Sequence, residues 1–80
     1  MKPLFRIFVI GGGIEFNETR TVYSTVEEFD VTKKKWKTRT GMKEARMNFA
    51  IATHQNMIYV FGGWKDRKNL TSCERYATHP

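Results

Sequence analysis

The sequence predicts an all-β chain built from a repeated antiparallel unit, and three observations carry that reading. Two short runs of β-branched and aromatic residues, 4–10 and 57–61, each stop at glycines, as strands entering tight turns do. The stretch Phe8-Val9-Ile10-Gly11-Gly12 returns 51 residues later as Tyr59-Val60-Phe61-Gly62-Gly63, and Val26-Glu27-Glu28-Phe29 returns 47 residues later as Cys73-Glu74-Arg75-Tyr76. The residues from Asn17 to Thr25 are poor helix formers without a 3.6-residue apolar stripe, so no crossover helix is readable.

Each element follows in chain order. Residues 4–10 form the first strand. Residues 14–21 form a surface loop, as do 64–71 in the second unit, and the four-residue difference between the two offsets falls in these loops, which tolerate length change. Residues 22–29 form the next strand, then lysines make a solvated turn into a strand at 34–38 around Trp36. Residues 48–53, "NFAIAT", place Phe49 and Ile51 on one face at period two. His54-Gln55-Asn56-Met57 is a tight connection in which Asn56 suits a left-handed conformation. Strands at 57–61 and 72–76 complete the chain. Four strand types in fixed order make one blade of a β-propeller.

The glycines at 11–13 also raise a dinucleotide-binding reading, which fails. That fingerprint needs a third glycine for close helix packing, and the slot holds Phe16. Glu27 and Glu28 fall too early for the ribose contact, and a nucleotide site has no reason to be duplicated.

The spacings resemble the kelch repeat, whose period is about 50 residues. The double glycines Gly11-Gly12 and Gly62-Gly63 close second strands. Phe29 and Tyr76 stand at the third-strand aromatic, with Glu74 in the same strand type, and Trp36 follows Phe29 by seven residues. Met42 closes the fourth strand, and Arg46 lies sixteen residues before Gly62, as in the family motif. Departures are Phe29 for Tyr, Val31 for Pro and Ala77 for Asp. The resemblance implies an incomplete kelch β-propeller. Residues 1–42 would supply second to fourth strands and residues 43–80 first to third. The tryptophan expected seven positions after Tyr76 would fall past Pro80, so the chain reads as a fragment of about one and a half repeats. Trp36 is expected as a core anchor, and open sheet edges invite self-association by strand addition.

Composition narrows the function classes. No run approaches the roughly 18 uninterrupted apolar residues of a membrane span. A single cysteine, Cys73, allows no internal disulfide, fits a reducing compartment, and is expected to pack between strands as a small apolar residue. His54 and His79 lack the companions a metal site needs, and no cofactor is expected. The net charge of +6 is concentrated in residues 33–46, where Lys33, Lys34, Lys35, Lys37, Arg39, Lys43 and Arg46 face only Glu44. A nucleic-acid contact would use such a segment with Trp36 as a stacking group. The motif spacing already accounts for Trp36 and the turn accounts for the lysines, so nucleic acid is the weaker reading.

The resemblance implies protein recognition by a non-enzymatic module. Partners in the family dock at one end of the propeller, on loops after the double glycines and residues leading into first strands. A guanidinium meeting an acidic side chain there makes a charge-assisted, selective contact. Arg46 is the expected contact, its alternative being a structural ion pair between blades, and Asn48, Trp64, Lys65 and Arg67 complete the candidate surface. The implied role is the substrate-recognition part of a cytoplasmic adaptor for a cullin-type ubiquitin ligase. The ligase would be reached only through a BTB domain that these residues do not contain. An actin-associated kelch protein is the alternative. A copper-radical oxidase would need a Tyr, Cys and His ligand set that two isolated histidines do not supply.

Overall fold

Alternating apolar residues become strands wherever one face has something to cover it. A computed structural model describes residues 6–78, so Leu4, Phe5 and His79 of the sequence reading lie outside the described residues. The described chain has ten strands and no helix. They are β1 (Arg6–Ile10), β2 (Gly13–Phe16), β3 (Thr19–Val22), β4 (Val26–Asp30), β5 (Lys35–Arg39), β6 (Ala50–His54), β7 (Met57–Phe61), β8 (Trp64–Lys65), β9 (Lys68–Asn69) and β10 (Cys73–Ala77). Two antiparallel sheets result, β1-β4-β5 and β6-β7-β10, with β2-β3 and β8-β9 as separate two-stranded hairpins.

The repeat is visible at the level of single rungs. Ile7 opposes Phe29 and Val9 opposes Glu27 in the first sheet, while Ile58 opposes Tyr76 and Val60 opposes Glu74 in the second. The same holds at the glycine pairs. The amides of Gly11 and Gly62 donate to Thr25 O (2.8 Å) and Ser72 O (2.9 Å), and those of Tyr23 and Leu70 donate to Gly12 O and Gly63 O (2.8 Å each). Gly11 has φ +57°, and a Cβ there would sit 2.8 Å from both Arg46 O and Met42 Cε, so only glycine fits.

The segments expected as loops are hairpins. Asn17-Glu18 (φ 50° and 64°) and Asp66-Arg67 (50° and 66°) are consecutive left-handed pairs, which match the right-handed twist of the flanking strands. Gln55-Asn56 (46° and 64°) turns β6 into β7 in the same way, with Asn56 left-handed as its type suggests. The arms of the first hairpin are four residues long and those of the second two, so the four-residue difference between the repeat offsets is two rungs of ladder.

The core lies between the two sheets. Val26, Met42, Ile58 and Val60 are buried, with Phe8, Ile10, Phe49 and Tyr76 packed around them. The Phe8 and Tyr76 rings meet edge to face at 6.4 Å, and the Arg39 guanidinium lies 5.8 and 5.7 Å from their centroids. Arg39 and Arg6 both pair with the buried Glu28. Two expectations need correction, those for Trp36 and Cys73. Trp36 is no core anchor among the described residues: it is 57% exposed on the sheet face turned away from the core, where its only ring partner is Phe29 at 4.9 Å. Ile51 is exposed although Phe49 packs on the core, because β6 is an edge strand beyond the cover of the first sheet. Cys73 is exposed for a similar reason, on the outer face of β10.

Candidate functional site

The residues that join the two sheets also build the site. Residues 42–47 are tied to both units by their backbone. On the first-unit side, Met42 N donates to Ser24 O (2.8 Å), Arg46 N to Tyr23 O (3.3 Å), and Arg46 O accepts from Gly12 N (2.9 Å). On the second-unit side, Met47 and Trp64 exchange backbone hydrogen bonds of 3.2 and 2.8 Å. A Cβ on Gly13 would lie 3.0 Å from Met47 Sδ, so Met47 stands at the root of both hairpins. The hairpins therefore rise side by side.

Between them is a cleft of about 470 Å³ lined by Glu15, Glu18, Thr19, Arg20, Trp64, Asp66 and Arg67. Its floor is an aromatic–cation pair, with the Arg20 guanidinium 5.1 Å from the Trp64 ring centroid. Such a pair contributes roughly 0.5–1 kcal/mol at an exposed site. Arg20 also faces Glu15 at 3.8 Å, and both side chains are about half exposed, so this contact orients more than it stabilises. Three carboxylates against two guanidinium groups give a cleft of mixed charge. It offers a partner both donors and acceptors around one large apolar surface.

The sequence-derived site residues divide. Trp64, half-buried, and exposed Arg67 line the cleft. Lys65 shares their hairpin opposite Lys68, and Asn48 is exposed with φ +55° just before β6, but neither lines the cleft. Arg46 is the correction. Its side chain is 0% exposed, with Nη1 donating to Gly62 O (2.8 Å) and Ser72 O (3.1 Å) and Nη2 donating to Ser72 Oγ (3.1 Å) and Glu74 Oε2 (2.9 Å). Its one unpartnered donor, Nε, is itself buried, so the guanidinium presents nothing to a docking partner. The ion-pair alternative describes it, and the pair lies within the second unit instead of between units.

Glu74 completes that cluster. Its Oε1 accepts from Lys43 N (2.7 Å) and its Oε2 from Glu44 N (3.0 Å), while Ser72 Oγ donates to Glu44 Oε1 (2.8 Å). Burial pushes the Glu74 carboxyl up, but the two backbone donors and Arg46 outweigh it and hold the group below its ordinary value. Sequence reasoning missed Glu15, Glu18, Thr19, Arg20 and Asp66 as individuals. The loops containing them were in view, and the cross-strand pairing of Glu15 with Arg20 is the signal that a hairpin reading would have exposed.

The basic segment is also less free than its composition suggests. Arg39 and Arg46 are enclosed in ion pairs, and Lys35 and Lys37 stand opposite Asp30 and Glu28 on β4.

The kelch motif family model matches residues 6–43 and again residues 45–77. The chain belongs to the kelch-repeat family. Among curated proteins, none matches it. Kelch repeats generally mediate protein–protein interaction and are typically non-catalytic; the cleft lies on the hairpins that follow this chain's double glycines. In this kelch chain the double glycines end β1 and β7 and project the two hairpins that form it.

Proposed function

We propose that this kelch chain binds a peptide segment of a partner protein in the cleft between β2-β3 and β8-β9. The observation that carries the reading is Trp64 lying under Arg20 at 5.1 Å, with carboxylates on both hairpins around it. A half-buried indole is the kind of rigid apolar anchor around which interface energy concentrates. The surrounding guanidinium and carboxylate groups select a segment that carries both signs of charge with an apolar residue between. The same mixed charge disfavours a polyphosphate backbone.

The finer reading is the substrate-recognition part of a cytoplasmic adaptor for a cullin-type ubiquitin ligase, with actin association as the alternative. A screen of displayed random peptides against the immobilised chain tests the site. Enriched peptides are expected to contain an apolar or aromatic residue flanked by charges, and Trp64→Ala should weaken them at least tenfold. Peptides that bind W64A and R20A as well as wild type would place the binding elsewhere. Co-sedimentation with filamentous actin distinguishes the second reading: retention lost in W64A favours actin, and none removes it.

A further inference from the structure

The cleft already holds a cation, and that cation belongs to the chain itself. The Arg20 guanidinium rests on the Trp64 ring at 5.1 Å and faces Glu15 at 3.8 Å. Neither contact is tight. The Arg20 and Glu15 side chains are both about half exposed, where water screens an ion pair and a cation over an aromatic ring is held only weakly. Arg39 and Arg46, by contrast, are enclosed in their ion pairs.

The surroundings of Arg20 carry more negative charge than it neutralises. A chain of net charge +6 places three of its eight carboxylates, Glu15, Glu18 and Asp66, in this one cleft. Glu18 and Asp66 make no ion pair among the described residues, and left-handed turn positions (φ 64° and 50°) fix the backbone of each at the tip of its hairpin. The hairpins are fixed at their roots as well, by the Met47–Trp64 backbone hydrogen bonds and the close approach of Gly13 to Met47. A cation entering between the tips therefore meets carboxylates from both hairpins around one indole face.

On the reading of the cleft as a peptide site, we propose that Arg20 is an internal stand-in for the ligand: a basic residue of the bound segment, arginine above all, displaces it from Trp64 and takes its place beside Glu15. Arginine fits this position better than lysine, because a planar guanidinium stacks on an aromatic face while its N–H fork pairs with a carboxylate. The displaced Arg20, with Arg67 of the facing hairpin, then meets the acidic residue of the segment. Arg20 thus opposes binding at the ring although it lines the site.

Titration with a short peptide tests the exchange, with the indole Nε1–H resonance of Trp64 as the readout. The probe is a pentapeptide with arginine, phenylalanine and glutamate at its centre and glycine at each end. Its control carries citrulline, the uncharged isostere, in place of arginine. The arginine peptide should shift the Trp64 resonance saturably, and the citrulline peptide should bind roughly fivefold more weakly or worse. Arg20→Ala uncovers the ring at an exposed position and should bind the arginine peptide roughly two- to fivefold more tightly, the equivalent of one exposed cation–π contact. Arg67→Ala removes the same charge without uncovering the ring and should show no such gain. Binding by R20A that is unchanged or weaker overturns the exchange, as does an equal gain in R67A. Equal affinities for the two peptides overturn it too, and so does a Trp64 resonance that neither peptide moves. The peptide-site reading fails separately, when displayed peptides bind W64A as well as wild type; peptides that W64A weakens, together with a contrary R20A result, remove only the exchange.

Discussion

Arg46 and Glu74 form an enclosed ion pair of 2.9 Å in which the guanidinium also bonds Gly62 O and Ser72 and the carboxylate also caps the amides of Lys43 and Glu44. The pair ties the segment that leads into the second sheet to the strand that closes it.

Removing the cation leaves the enclosed Glu74 carboxylate without its counter-charge and Gly62 O without its guanidinium donor, while Lys43 N, Glu44 N and Gly62 N still serve Glu74 and Ser72 O. Arg46→Ala is expected to lose about 3 kcal/mol, at the low end for a broken buried pair because the Glu74 side chain keeps 16% exposure. Arg46→Lys should recover only part of it, since an ammonium cannot span Gly62 O, Ser72 and Glu74 as the planar fork does. Urea unfolding midpoints would measure both.

The depressed pKa of Glu74 sets a pH dependence. Its folded value lies below its unfolded one, so its stabilisation is complete above the ordinary glutamate range near 4.3 and is lost as pH falls through the folded value. Thermal unfolding from pH 7 to pH 3 should show a decline below that range that is shallower in Glu74→Gln. Identical slopes would remove Glu74 as its source.

The paired glycines are not equivalent. Both Gly11→Ala and Gly12→Ala force a side chain to positive φ, costing about 1–2 kcal/mol. Only at position 11 does the new Cβ also meet Arg46 O and Met42 Cε at 2.8 Å, whereas nothing lies within 4 Å at position 12. G11A should therefore unfold at clearly lower urea than G12A.

Asn56 has φ +64° at the second position of the β6-β7 turn, where glycine is preferred. Asn56→Gly should raise stability by about 0.5 kcal/mol, since glycine takes the left-handed conformation at no steric cost and Thr78 bonds only the backbone O of residue 56. A lower urea midpoint would contradict the turn assignment.

The long strands were legible because alternation and terminal glycines are local signals; β1 and β7 end where Gly11 and Gly62 say they should. The two hairpins were not, because Asn17-Glu18 and Asp66-Arg67 lack the glycine that usually marks such turns and their arms are polar. The cleft was legible only in part: Trp64 and Arg67, which line it, were named from the sequence and Arg20 was not. The role of Arg46 depends on Gly62, Ser72 and Glu74, which lie 16 to 28 residues further along the chain, and no local pattern reports them. Exposure of Trp36 and Cys73 was equally hidden, since a strand's sequence shows that it has two faces but not which one a neighbour covers.

Because the two hairpins differ by whole rungs, their height is a quantity that evolution or an engineer can alter in steps. Adding one residue to each arm raises the tip by about 3.4 Å and leaves the sheets beneath untouched. It also turns every side chain above the insertion to the opposite side. Extensions placed beyond Arg20 leave it over Trp64, and only even ones keep the tip side chains on their present side, so the reach of this surface toward a partner is quantised in increments of about 7 Å.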